Sequence, residues 1–154
     1  MPTPREPLSV AANSVLWTDG ASRNNPGHAG IGVVLKTHTG CTLARVSGYI
    51  GTATNVVAEY QAFLVGLELA VRLGAQNLEV WTDSELIVNQ LSGEYRVRAP
   101  HLRPLYDRAK QLLTNFTSFQ VRHLPREENV EADQLANEGI DRYLGSQPVL
   151  DQDL

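Results

Sequence analysis

Four acidic residues, Asp19, Glu59, Asp83 and Asp133, stand at matching kinds of places in this chain. Asp19 closes a short apolar run at 15–17 and opens the polar stretch DGASRNNPG, and Asp83 follows the run LEVWT. Glu59 falls early in a helical pattern that begins at Thr54, and Asp133 early in another that begins at Glu128. Acids at the ends of two parallel neighbouring strands emerge on one edge of a sheet, where open α/β folds place their sites. Loops can bring helix starts to that edge as well. Each acid alone has an ordinary explanation: Asp19 before Gly20 as a turn former, Asp83 before Ser84 as an N-cap, Glu59 and Asp133 as acids favoured near helix N-termini. Together they describe a cluster. Carboxylates brought together repel, and they must either hold protons or share a cation. Mg²⁺ suits a few carboxylates, with water and substrate phosphate completing its octahedron. Two such ions about 3.5–4 Å apart can activate a water and stabilise the leaving oxygen of a phosphodiester. The expected chemistry is phosphoryl chemistry.

The elements that must position these acids can be read from periodicity. Residues 15–17, 31–35 and 43–50 read as three strands joined by short loops, an antiparallel meander. From Thr54 the period changes, with Val56, Tyr60, Phe63, Leu64, Leu67, Ala70 and Val71 forming the stripe of an amphipathic helix that ends at Leu73-Gly74. A strand at 78–81, a short helix through Leu86, Ile87 and Leu91, a helix at 100–113, a strand at 116–123 and a helix at 128–143 follow. Helices between successive strands favour parallel neighbours through right-handed crossovers, so the predicted fold is α/β. Its five-stranded mixed sheet combines the three-stranded meander with two parallel strands and is flanked by helices.

The length of 154 residues suits one domain with a substantial core. A loose Pro-rich arm is expected at 1–13, with no signal-peptide pattern, the folded domain at 14–144 and a frayed tail at 145–154. No apolar run is long enough to span a bilayer, and the single cysteine, Cys41, has no internal disulfide partner, which fits a cytoplasmic setting. A net charge of −4 argues against holding nucleic acid by bulk electrostatics alone. Between Glu94 and Lys110, however, Arg96, Arg98, Arg103, Arg108 and Lys110 face only two acids, so a local basic surface stands beside the reading of a solvated helix face. A nucleotide cofactor site is excluded because a strand, and no helix, follows the Gly-containing loop. The four histidines lack metal-ligand spacing, which argues against zinc.

The stretches TDGASRNNPGHAGIGVVL, TNVVAEYQAFLVGLELA, VWTDSELIVNQL and HLPREENVEADQLAN resemble, in order and spacing, the four motif regions of type 1 ribonuclease H, over most of residues 15–140. The resemblance implies the ribonuclease H-like fold. It also implies endonucleolytic hydrolysis of the RNA strand of RNA/DNA hybrids, leaving 5′-phosphate and 3′-hydroxyl ends. Asp19, Glu59, Asp83 and Asp133 would be the metal-binding and catalytic carboxylates, holding two Mg²⁺ ions with substrate, Mn²⁺ being a substitute. By the same resemblance Asn25 and Asn55 contact the hybrid in its minor groove, Thr54 binds a DNA phosphate, and Gly20 lets backbone approach the RNA strand. His123, ten residues before Asp133, matches a histidine that assists product release or protonation in many members. Arg126, in PREEN, matches an arginine that serves instead in a compact branch, and it is the favoured candidate. A monomer is implied.

Two departures from the family pattern matter. Val56 stands where many members carry a polar residue, and the stretch at 92–105 is short compared with members bearing a long basic protrusion. Arg96, Arg98 and Arg103 are expected to substitute in part for that protrusion, with weaker and more salt-sensitive binding. Two alternatives stay open: a nucleic-acid-binding module that keeps the fold without the chemistry, whose signature would be a missing acid, and a nuclease of the same fold with another substrate.

Overall fold

A computed structural model describes residues 10–147. Strands β1 (Asn13–Ser22), β2 (Gly27–Thr37) and β3 (Thr42–Ala53) form the antiparallel meander, and helix α1 (Asn55–Arg72) follows. Strand β4 (Asn77–Thr82), helices α2 (Glu85–Ser92) and α3 (Arg103–Leu113), strand β5 (Ser118–His123) and helix α4 (Val130–Ser146) complete the chain. The sheet order is β3-β2-β1-β4-β5, with β1–β4 and β4–β5 parallel, so the mixed five-stranded sheet is as expected. Two boundaries differ because tight turns precede the regular helices: Pro100–Leu102 and Arg126–Glu128 are 3₁₀ turns before α3 and α4. Phe116, expected in the last strand, is instead buried in the turn before β5.

Alternation divides the sheet into two faces. Leu16, Val33, Leu35, Leu78 and Val80 face α1 and α3, where they meet Tyr60, Phe63, Leu67, Leu112 and Leu113 in the main core. Burying each such large apolar side chain contributes about 1.5–3 kcal/mol. The Tyr60 hydroxyl, buried here, donates to Gln90 Oε1, so this polar group is not left unpaired. Gly30 and Gly32 of β2 face α4, and α4 lies across β2, β3 and β1 on that side.

Asp19 is not at the end of its strand. Parallel pairing with β4 stops at Thr18↔Thr82, but β1 continues along its longer partner β2 through Ser22↔Ala29. Asp19 and Asp83 therefore each stand one residue past the last parallel pair, and β1 extends beyond them as a wall. The expected arm at 1–13 and tail at 145–154 lie largely outside the described residues; within them Ala11 and Ala12 are buried, β1 starts at Asn13 and α4 reaches Ser146. Among the described residues no helix is long and apolar enough to cross a membrane.

Candidate active site

Two glycines set how closely the helices approach β1. Gly20 points toward α1, where a Cβ would stand 2.1 Å from the Ala58 carbonyl carbon and 2.3 Å from the Glu59 nitrogen. Gly32, paired with Asp19, points toward α4, where a Cβ would stand 1.9 Å from the Ala132 carbonyl oxygen. No larger side chain fits at either position without moving a helix backbone. The first contact brings Glu59 beside Asp19, and the second brings Asp133. Gly20 was expected to admit substrate; its tightest constraint is this packing, although it also lines the cleft.

The local explanations for the acids divide. Ser84, not Asp83, caps α2, its Oγ accepting from the Ile87 N–H at 3.2 Å, so Asp83 is released toward the cleft. Glu59 lies beyond the first turn of α1, which Thr54 caps through the Val57 N–H at 3.2 Å, and the helix dipole does not account for it. Asp133 does lie in the first turn of α4.

Asp19, Glu59 and Asp83 meet in a cleft of about 470 Å³ lined also by Gly20, Arg23, Asn55, Arg126 and Asn137; Asp133 is not among the lining residues and joins the cluster through its hydrogen bond with Asp19. A more open hollow of about 760 Å³ between β3 and α4 contains no carboxylate, and the chemistry belongs to the smaller one. Asp19 is only 5% exposed. Burial, the charge of Asp83 and a hydrogen bond to Asp133 push its carboxyl up to about 9. Burial and Asp83 raise Glu59 to about 7, with Arg126 pulling the other way. Burial also raises Asp83, opposed by its hydrogen bond to Asp19 and by Arg126. Without a cation the cluster thus stays together by holding protons.

Among the described residues no three acidic, histidine or cysteine side chains are already set out to hold an ion. Their chemistry still fits one. The donors are hard carboxylate oxygens from β1, α1, α4 and the turn between β4 and α2, and their mutual repulsion is the conflict that a divalent cation would remove.

Arg126 lines the cleft and acts on Glu59 and Asp83, whereas His123 is exposed at the end of β5 and is not among the lining residues. Asn25 and Asn55 interlock: the Asn55 N–H donates to Asn25 Oδ1 at 2.9 Å, and Asn55 Oδ1 accepts the Ser22 N–H at 3.0 Å. The Asn25–Pro26 peptide is cis, and Asn24 takes a left-handed φ of 74°. Val56 packs against the core, where a polar residue would lose its solvation. Arg96 and Arg98 are exposed on the loop after α2 without an ion pair among the described residues. Arg103 is instead engaged by Asp107 at 3.1 Å and lies over Tyr106, so it is less free than the other two.

Three polar residues at the site escaped the sequence reading. Arg23 lines the cleft and reaches α4 through Asn137 and Asp141. Asn137 in turn donates to Asp133. Asn129, 1% exposed, donates from Nδ2 to the Thr18 carbonyl at 2.9 Å, fixing the start of α4 to the residue before Asp19. An Asn four positions before Asp133, at a helix start, was a visible signal for Asn129. Arg23 gave none, because its partner Asn137 is 114 residues away.

Comparison with known proteins matches residues 17–139 to the family described as "Reverse transcriptase-like". The ribonuclease HI of Halobacterium salinarum is 44% identical over 125 residues, which cover 81% of this chain and 63% of that protein. The crystal structure of RNase H1 from the same archaeon matches with a TM-score of 0.82 at 42% identity, over 84% of this chain and 98% of that one. A bifunctional protein of Mycobacterium tuberculosis is 44% identical over 128 residues, 82% of this chain but only 35% of its own length. LC11-RNase H1, solved in complex with an RNA/DNA hybrid, matches with a TM-score of 0.81 at 41% identity, over 86% of this chain and 99% of that one. The present chain thus spans less than two thirds of the length of the Halobacterium ribonuclease HI and about a third of the mycobacterial protein.

Proposed function

We propose, from the premise that the chain belongs to the type 1 ribonuclease H family, that it is an endoribonuclease cutting the RNA strand of RNA/DNA hybrids and leaving 5′-phosphate and 3′-hydroxyl ends. The observation that carries the proposal is the convergence of Asp19, Glu59 and Asp83, with Arg126, on one cleft, and of Asp133 on Asp19. The hybrid found with LC11-RNase H1 supports the choice of substrate.

Asp19, Glu59, Asp83 and Asp133 would hold the divalent cations. Bound Mg²⁺ would supply Lewis acidity and charge neutralisation at the phosphodiester. The chain's own groups do the rest. Arg126 offers a fixed positive charge beside Glu59 and Asp83, where the reacting phosphate brings negative charge. Asn25 and Asn55, held to each other and to Ser22, present a preorganised edge to the minor groove, whose 2′-hydroxyls mark the strand to be cut. Thr54 Oγ1 accepts from the helix, which leaves its hydroxyl proton for a DNA phosphate. Arg96 and Arg98 would steer the backbone of the duplex.

The test is incubation with a labelled RNA/DNA hybrid and Mg²⁺, beside Asp19→Asn and beside duplex RNA and duplex DNA. RNA-strand cuts confined to the hybrid and absent in the variant are expected. Hybrid bound but uncut by the wild type would mean a binding module, and preferential cutting of either duplex would mean a different nuclease.

A further inference from the structure

Asp133, like Glu59, reaches the cluster from a helix laid across the sheet, and the structure shows a polar chain running to it from the far end of β1. Arg23 lies on the loop between β1 and β2, where its Nη1 pairs with Asp141 Oδ1 at 2.9 Å. Its Nη2 donates to Asn137 Oδ1 at 3.2 Å. That fork fixes the Asn137 amide: with Oδ1 turned to the arginine, Nδ2 must face the other way. There it donates to the Asp133 carbonyl at 3.0 Å and approaches Asp133 Oδ1 at 3.4 Å. Neither Arg23 nor Asn137 is one of the four acids or a residue assigned above to the hybrid, yet both line the same cleft.

We propose that Arg23 and Asn137 are positioning residues, a two-membered relay that orients the Asp133 carboxylate for a divalent cation. The inference rests on the metal-dependent reading of the site. Arg23 acts through Asn137: without the guanidinium the amide is free to rotate, and Asp133 loses a donor that holds one of its oxygens. Partners of this kind typically affect metal affinity or activity by about 10- to 100-fold.

The experiment measures Mg²⁺ binding by titration calorimetry, and the Mg²⁺ dependence of hybrid cleavage, for wild type, Arg23→Ala, Asn137→Ala and the double variant. Arg23→Gln is the milder second variant should Arg23→Ala fold poorly. Arg142→Ala is the control, because Arg142 ties the same helix to the Ser47 carbonyl at 2.7 Å, away from the acids. Each single variant is expected to weaken Mg²⁺ binding by about 10-fold, with the KM for hybrid little changed. The double variant should also lose about 10-fold, not about 100-fold, because the two residues act in series. Multiplying effects would overturn the proposal, and so would an equal loss in Arg142→Ala, since loosening of α4 would then be the cause. A raised KM with unchanged Mg²⁺ binding would overturn it too and make Arg23 a substrate contact. Normal Mg²⁺ binding by a wild type that cuts no hybrid would sink the activity proposed above and leave the relay standing.

Discussion

Asp19→Asn should make the metal-free protein more stable while destroying its site. Asp19 titrates near 9 in the folded chain against 3.8 for an ordinary aspartate, because burial and its acidic neighbours disfavour the charge. The folded state thus holds a proton that the unfolded state releases. The stability tied to that proton is fully present below 3.8 and is lost as pH rises through about 9. At pH 7 the unfolded chain has gained about three pH units of ionisation free energy, a ceiling of about 4 kcal/mol at about 1.4 kcal/mol per unit. Asparagine is never ionised and can still donate to Asp133, so the variant escapes this loss. Water entering the cleft and residual structure in the unfolded chain reduce the gain, and about 2 kcal/mol is expected at pH 7. For a chain of this size that is a rise in Tm of roughly 4–8 °C. The assay is thermal and urea unfolding in chelator at pH 5, 7 and 8.5, repeated with Mg²⁺. The advantage of the variant should grow with pH in chelator and shrink or reverse with Mg²⁺, which stabilises the wild type by binding its folded state. A variant less stable than wild type in chelator at pH 8.5, or an advantage independent of pH, would refute the reasoning.

Further predictions concern the walls of the cleft. Gly32→Ala should push α4 off the sheet, costing about 1–3 kcal/mol and lowering kcat more than it raises KM, as melts and steady-state kinetics on hybrid would show. Arg126→Ala should lower kcat by at least about 10-fold, and His123→Ala should stay within about 2-fold. Because Arg126 lowers the Glu59 carboxyl, its removal should also move the acid limb of the pH–rate profile upward. Reversing Arg96 and Arg98 to Glu should raise KM and flatten the dependence of binding on salt, measured by anisotropy with a labelled hybrid, because phosphate contacts release counterions.

The regular elements were legible because their apolar periods differ: two along β4, three to four along α1. The convergence of the acids was legible too, since β1 and β4 as parallel neighbours put Asp19 and Asp83 on one edge. What the sequence hid was depth. Gly32 looks like a weak point in a β-strand, and only the position of the Ala132 carbonyl explains it. Whether Ser84 or Asp83 caps α2 depends on a single backbone turn. Arg23 and Asn137 carry no local pattern, because a hydrogen bond across 114 residues leaves no trace in periodicity. The tight turns before α3 and α4 shifted helix starts by two or three residues, the usual uncertainty of a helix boundary.

The two faces of the sheet are not equally secured. The side under α1 and α3 holds the large side chains of the main core, whereas α4 buries a smaller set, Ala132, Leu135, Ala136 and Ile140, against a sheet face with glycines, and much of what ties it down besides Asn129 is pairs near the surface: Lys36 and Arg45 to Glu131, Arg23 to Asp141. Such pairs weaken as salt rises. On heating or in denaturant, α4 should therefore open as a unit before the strands part, taking Asp133 away while most of the circular dichroism signal remains. Catalytic activity would then report the docking of one helix, and inactivation would precede unfolding by a margin that salt widens.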